Sequence, residues 1–262
     1  MERRDPIMRF AVPIYLTNKK ESDSPVVINM DYNGKLLSLM KLGLSHVNKD
    51  AFDKLYLQNK QKLFATSTYF PQARFAHNSI YLNRKGKLVL YFTAYDKTLG
   101  LNFYNTFAWL KIQSGKAKRH LARPLTFGSD YNAEVGKIHL INETPVLKSK
   151  QLFKADSPIV IQNENKRFVS CTDDSNLDKY NKAIRFSTLK KVDKYPELKD
   201  YVSDLVFKPV KTRKTVRKMF GNNIESTVGM FELTGNPKLL TYLEQVGLGI
   251  NTGTFNGMIT AI

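Results

Sequence analysis

Cysteine occurs once in this chain, at Cys171. No disulfide can close within it, and no metal site can be built on cysteines. No apolar run approaches the roughly 20 residues a membrane-crossing helix needs. The opening residues, Met1-Glu2-Arg3-Arg4-Asp5-Pro6, are charged and lead into only a short apolar run, unlike a secretory signal. These features set the expectation of a cytoplasmic protein with no membrane partner. Acidic residues are also scarce: Asp+Glu 23 against Lys+Arg 41, a net charge of +18 and a pI near 9.8. Such an imbalance speaks to partners and not to fold. A polyanion, nucleic acid first, is the expected partner. What is present suffices for a core. With 42% hydrophobic and 11% aromatic residues in 262, the chain is no disordered basic tail and suits one large domain or two small ones.

The pattern along the chain mixes strands and helices. Arg9 to Leu16 alternates as a strand, with Pro13 pointing to an edge or a bulge. Leu36, Leu37, Leu39, Met40 and Leu44 make one apolar helical face. A break at Ser45 to Asn48 precedes a second helix, Lys49 to Leu57. Leu63 to Phe70 reads as a strand. Ser79 to Leu82 and Lys87 to Tyr95 flank the turn Asn83-Arg84-Lys85-Gly86 as a hairpin. Asp96 to Ile112 reads as a helix and Lys137 to Ile141 as a strand. The second half repeats the theme. A hairpin spans Ser157 to Thr172, and Leu177 to Lys191 is helical. Asp204 to Val210 and Met230 to Leu233 are strands. Asn236 caps a helix with Pro237 at its first position. Each half reads roughly β-α-β-β-α-β, a ferredoxin-like order in an α+β fold. The division is expected near Pro145, giving domains 1–145 and 146–262.

Two segments stand out. Lys208, Lys211, Arg213, Lys214, Arg217 and Lys218 place six cations and no acid in eleven residues. In strand geometry alternate residues share a face, so several could line one groove and hold phosphates. Lys118 and Arg119, beside His120, form a second basic cluster. The terminal stretch carries Gly247, Gly249, Gly253 and Gly257 within eleven residues. Glycine permits positive φ and close backbone approach, and successive N–H groups in such a loop can cradle an anion.

The order of basic strand, Val228-Gly229-Met230-Phe231-Glu232-Leu233-Thr234-Gly235, helix Leu239 to Val246 and glycine-rich ending resembles the CRISPR-associated precursor-RNA endoribonucleases. These are the sixth Cas family, of the RAMP superfamily. The ending reads Gly247-x-Gly249, then Gly253-Thr254-Phe255-Asn256-Gly257-Met258-Ile259, where Thr254 and Asn256 depart from the family pattern. Tyr32-Asn33 with the helix after it, Leu55-Tyr56, Lys62-Leu63-Phe64-Ala65-Thr66-Ser67 and Ser157-Pro158-Ile159-Val160 are similar to further family segments. The resemblance implies tandem ferredoxin-like domains and cleavage of CRISPR repeat RNA by attack of a ribose 2′-hydroxyl, without metal or cofactor. It also implies repeat or guide RNA as partner, with other Cas effector-complex subunits as further partners. The alternative it leaves open is a subunit that binds guide RNA without cutting.

That chemistry needs a base, an acid and a cation for the phosphorane. In the family a histidine of the first helix pair often serves, supported by tyrosine or lysine. Of His46, His77, His120 and His139, only His46 falls between the two N-terminal helices. Its reference pKa of about 6.5 suits proton transfer. Aligned on the other residues, Tyr56 takes the family's histidine position, with Lys41 and Lys62 in support. Three readings stay open: His46 as acid/base, Tyr56 with the lysines, or lost cleavage. His77 is expected in an exposed loop, His120 facing RNA, and His139 and Cys171 as structural strand residues.

Overall fold

Strand β1 (Met8–Asn18) buries Phe10, Val12, Ile14 and Leu16 on one face, the alternation its sequence announces. In the computed structural model, which describes residues 8–20, 24–58, 62–142, 145–172, 174–219 and 221–262, this strand lies inside a six-stranded sheet. The charged opening at 1–6, part of the polar loop at 21–23 and part of the connection at 143–144 lie outside the described residues. The other elements of the first half are β2 (Val27–Asn29), α1 (Asn33–Val47), α2 (Lys49–Tyr56), β3 (Phe64–Tyr69), β4 (Arg74–Phe75), β5 (Ser79–Tyr81), β6 (Lys87–Ala94), α3 (Lys97–Lys118), β7 (Leu125–Phe127), β8 (Tyr131–Val135) and β9 (His139–Ile141). The sheet runs β3-β6-β1-β8-β7, with β9 also on β1. Pro13 is therefore in a central strand and not at an edge. It sits where β8 pairing ends and β9 pairing begins, and its carbonyl accepts from Gly136 N at 2.8 Å. The N–H that proline lacks would face that same gap.

Several first-half expectations change. Helix α1 runs on through Ser45 and His46, leaving Asn48 alone as the break; its side chain caps α2 by accepting from Ala51 N at 2.9 Å. The Asn83–Gly86 turn closes as expected, but β5 and β6 do not pair. β5 joins β2 and β4 in a small separate sheet. Helix α3 extends six residues past Ile112, its start capped by Asp96 accepting from Leu99 N.

The second half comprises β10 (Lys150–Ala155), β11 (Ile161–Gln162), β12 (Phe168–Val169), α4 (Leu177–Lys191), α5 (Pro196–Lys199), β13 (Val206–Met219), β14 (Asn222–Thr234), α6 (Pro237–Val246) and β15 (Ile259–Ala261). Its sheet runs β13-β14-β10-β15. Both halves thus place their strands alike: the two middle strands adjacent, the opening strand next, the closing strand outside. This is the tandem ferredoxin-like, α+β fold. Each sheet has its own apolar core under its helices. The basic segment is one continuous strand with the residues before it, paired along β14 as a long ribbon.

Candidate active site and nucleic-acid interface

Helices α1 and α2 and the entry to β3 bring three of the sequence candidates together. Lys41 Nζ lies 4.9 Å and Lys62 Nζ 5.3 Å from the centre of the Tyr56 ring. The face of an aromatic ring attracts ammonium groups, so one tyrosine holds two cations in place. Its hydroxyl is buried and has no hydrogen-bond partner among the described residues, and burial pushes its pKa up, so it stays protonated. Burial, and then the charge of Lys41, hold the Lys62 ammonium below the ordinary lysine value. Among the described residues no carboxylate is ion-paired with either lysine. The result is a concentrated positive site with one amine biased toward losing its proton.

His46 is not part of this cluster. It occupies the last turn of α1, its Nδ1 2.9 Å from Leu42 O and its ring stacked on Trp109 of α3 at 4.4 Å. Five residues along a helix from Lys41 is about 140° round the axis, so the two side chains leave on different faces. His77 and His120 are exposed. His139 is exposed as well, contrary to its expected structural place, because β9 is a short strand with only Ile141 partly covered. Cys171 is buried. Among the described residues no group of three or more His, Cys, Asp or Glu could hold a metal ion.

The glycine-rich loop crosses from the second sheet onto the edge of the first. Thr252 Oγ1 donates to Phe64 O at 2.8 Å, Phe255 N donates to Thr66 Oγ1 at 2.9 Å, and the Phe255 ring is fully buried in the first core. A methyl group on Gly253 would stand 2.7 Å from the Phe64 ring and 3.0 Å from Lys62 Cδ, so the loop backbone lies directly against the lysine. Gly257 has φ +62°, and a Cβ there would meet Leu248 O at 2.0 Å. Much of the loop backbone is engaged within the protein. Leu248, Ile250, Thr254, Phe255, Gly257 and Met258 all spend their N–H groups on internal acceptors. The departures from the family pattern serve this packing: Asn256 is buried and donates to Thr254 O and Asn251 O. At the loop's root, fully buried Lys191 donates to the carbonyls of Val246 and Gly247, closing the end of α6.

On β13 the register shifts between Pro209 and Lys211. Lys208 stands opposite Glu232, Lys211 opposite Met230 and Arg213 opposite Val228. Those partners alternate along β14, so the bulge puts all three cations on one face, where regular pairing would separate Lys208 from the others. All three are exposed. Lys214 and Lys218 face the other way, and Lys214 is paired with Glu225 at 2.6 Å. Arg217 is engaged within the protein. It donates to Asn33 Oδ1 at 2.6 Å, to Tyr32 OH at 3.4 Å and to Phe255 O, clamping the ribbon to the start of α1 and to the loop. Lys118 is paired with Glu134 at 2.6 Å, while Arg119 is exposed at the end of α3. Sequence reasoning also missed Arg9. Buried on β1, it donates to Thr260 Oγ1 at 2.5 Å and Ile259 O at 2.8 Å, tying the first sheet to the closing strand of the second. A cavity of about 580 Å³, lined in part by Arg9, Tyr69, Tyr91 and Lys154, opens beside that tie.

With this geometry in hand, residues 142–260 match the family described as CRISPR associated protein Cas6, C-terminal. The second half of the chain is thus Cas6-like. Among curated protein sequences none matches it. Its fold is similar to that of a Cas6-related gene product from Pyrococcus furiosus, with TM-score 0.74 and 16% identity over 98% of each chain. It is also similar to a RAMP protein described as binding different RNA substrates, with TM-score 0.72 and 15% identity over 97% of this chain and 99% of that one. A third likeness is to a Cas6 product complex from Thermus thermophilus, with TM-score 0.66 and 16% identity over 97% and 100%. At such identities these likenesses speak to the fold.

The Cas6 match spans β10 to the glycine-rich loop, so it covers the basic ribbon and the loop that touches Lys62. Lys41, Tyr56 and Lys62 themselves lie before residue 142, outside the matched residues.

Proposed function

We propose that this protein, with its Cas6-like second half, processes CRISPR repeat RNA as an endoribonuclease that needs no metal. The ribose 2′-oxygen attacks the adjacent phosphorus, and the bond to the 5′-oxygen breaks. A 2′,3′-cyclic phosphate and a 5′-hydroxyl result. Lys62, in its neutral form, takes the 2′-hydroxyl proton. Lys41, as the ammonium, offsets the charge that builds on the phosphorane and gives a proton to the leaving 5′-oxygen. Tyr56 positions both amines through its ring. The lysine pair supplies the positive charge a metal ion would otherwise bring. The observation that carries this reading is the contact of the glycine-rich loop with Lys62, which sets the amine cluster at the junction of the two sheets. Lys208, Lys211 and Arg213 then hold phosphates of the RNA. Structures named as Cas6 product complexes support the substrate class. The protein acts in the cytoplasm, and other Cas subunits receive the processed guide.

A second reading is favoured by the buried Tyr56 hydroxyl and by the absence of a histidine from the cluster. In it the protein holds repeat or guide RNA without cutting. Incubation of end-labelled repeat RNA with excess chelator separates the two. One product ending in a cyclic phosphate supports processing; tight, repeat-selective binding with intact RNA supports the second reading.

A further inference from the structure

The hairpin of β4 and β5 projects Phe75 into solvent, 58% exposed, although an aromatic ring of that size ordinarily packs. Its neighbours Arg74, Ala76, His77 and Asn78 are exposed too, and none is a large apolar side chain. The ring is not loose. Phe70 meets it edge-on at 6.0 Å and 82°, and Tyr32 meets Phe70 at 5.0 Å and 83°. Tyr32 in turn lies 6.5 Å from Phe255 of the glycine-rich loop and under the Arg217 guanidinium at 5.9 Å. An aromatic ladder therefore runs from the surface to the junction of the two sheets.

The tip of the basic ribbon reaches the same place. Gly221 N donates to Asp31 Oδ2 at 2.9 Å, and the neighbouring Met30 N donates to Asn78 O at 3.1 Å. Two hairpin tips, one from each half, thus converge on Asn29–Asp31. They bring the end of the ribbon that carries exposed Lys218 to the strand beside the β4–β5 hairpin, on which exposed Arg74 and His77 flank the ring in sequence. Arg74 is itself held over the Tyr81 ring at 4.3 Å.

We infer that Phe75 is a stacking platform for an unpaired base of the RNA, with Lys218, Arg74 and His77 beside it for the flanking phosphates. An exposed ring seated against Phe70, with cations on its hairpin, suits a base in a single strand, and stacking of this kind tolerates sequence. A protein partner would instead call for further apolar side chains around Phe75. The inference rests on the proposed RNA substrate.

The test compares wild type, Phe75→Ala and Phe75→Trp in binding repeat RNA with its single-stranded flanks. A fully paired RNA of equal length serves as control. Phe75→Ala is expected to weaken binding of the flanked RNA about tenfold and to leave the duplex unaffected. Phe75→Trp is expected to keep the affinity and to show indole emission quenched by the flanked RNA, beyond any change at the native Trp109. Because Phe75 is exposed, both variants are expected to melt as wild type does. Equal binding by Phe75→Ala, or unquenched emission of Phe75→Trp at saturating RNA, overturns the platform while the RNA substrate stands. Failure of wild type to bind either RNA overturns the substrate reading and the platform with it.

Discussion

Lys62 and Lys41 differ in what their surroundings do to them. Lys62 is pushed toward neutrality by burial and by Lys41's charge. With Lys62 as the proposed base, the cleavage rate should rise with pH through its lowered pKa. Replacing Lys41 by Met removes the neighbouring charge, so the pKa of Lys62 climbs and that limb of the profile moves to higher pH. Single-turnover rates across a pH series read the shift; an unmoved limb would separate the two amines. Lys191 gives a second pH effect, on stability. Burial lowers its pKa from 10.5 to about 7. Between those values the unfolded chain holds a proton that the folded protein has released, so stability rises with pH. Above about 10 the buried tyrosines Tyr180 and Tyr242, whose pKa values are raised, reverse the trend. Denaturation midpoints should climb from pH 7 toward pH 10 in wild type and stay much flatter in Lys191→Met. These residues show the limits of sequence reading. Lys41, Tyr56 and Lys62 could be named by resemblance, but their meeting depends on how α1 packs on α2. His46 lies on the same helix as Lys41 but leaves it on another face, which the sequence alone does not separate.

Elements with local signals were legible. α4 and α6 stand where periodicity and the Asn236-Pro237 start put them. Longer-range devices were not. In the basic segment only Pro209 hints at the bulge between Pro209 and Lys211, and which cations it brings to one face is visible only against the partner strand. Nor did the sequence show that β5 leaves β6 for another sheet, since the turn between them has the same chemistry either way. The bulge has a measurable consequence. Lys211 and Arg213 share the exposed face, whereas Lys214 is neutralised by Glu225. Removing Lys211 and Arg213 together should lower the slope of log affinity against log salt by about 1.4 to 1.8, at roughly 0.7 to 0.9 for each phosphate no longer neutralised. Lys214→Ala should change it far less. Equal slopes for all variants would remove β13 from the RNA interface.

At the scale of the whole molecule the two halves are held as a unit by arginines whose partners lie far along the chain. Arg217 and Asn33 are 184 residues apart, and Arg9 and Ile259 are 250 apart. This is why Arg217 read as one more phosphate cation in its basic run. Its guanidinium serves three acceptors from two directions, a geometry an ammonium cannot copy. Arg217→Lys should therefore behave like Arg217→Ala. Both should speed hydrogen exchange at the start of α1 and in the glycine-rich loop, and both should lower the turnover rate more than the affinity for RNA. Exchange unchanged from wild type would show that the clamp is dispensable.

The central claim, that the amine cluster at the junction cuts RNA, is tested most directly by single-turnover cleavage of end-labelled repeat RNA in excess chelator. Wild type, Lys62→Met and His46→Ala are compared side by side. The expected result is one cut in wild type leaving a cyclic phosphate, a nearly unchanged rate in His46→Ala, and a loss of about 10²- to 10⁴-fold in Lys62→Met. A His46→Ala variant that no longer cuts, beside a Lys62→Met variant that cuts as wild type does, would contradict it.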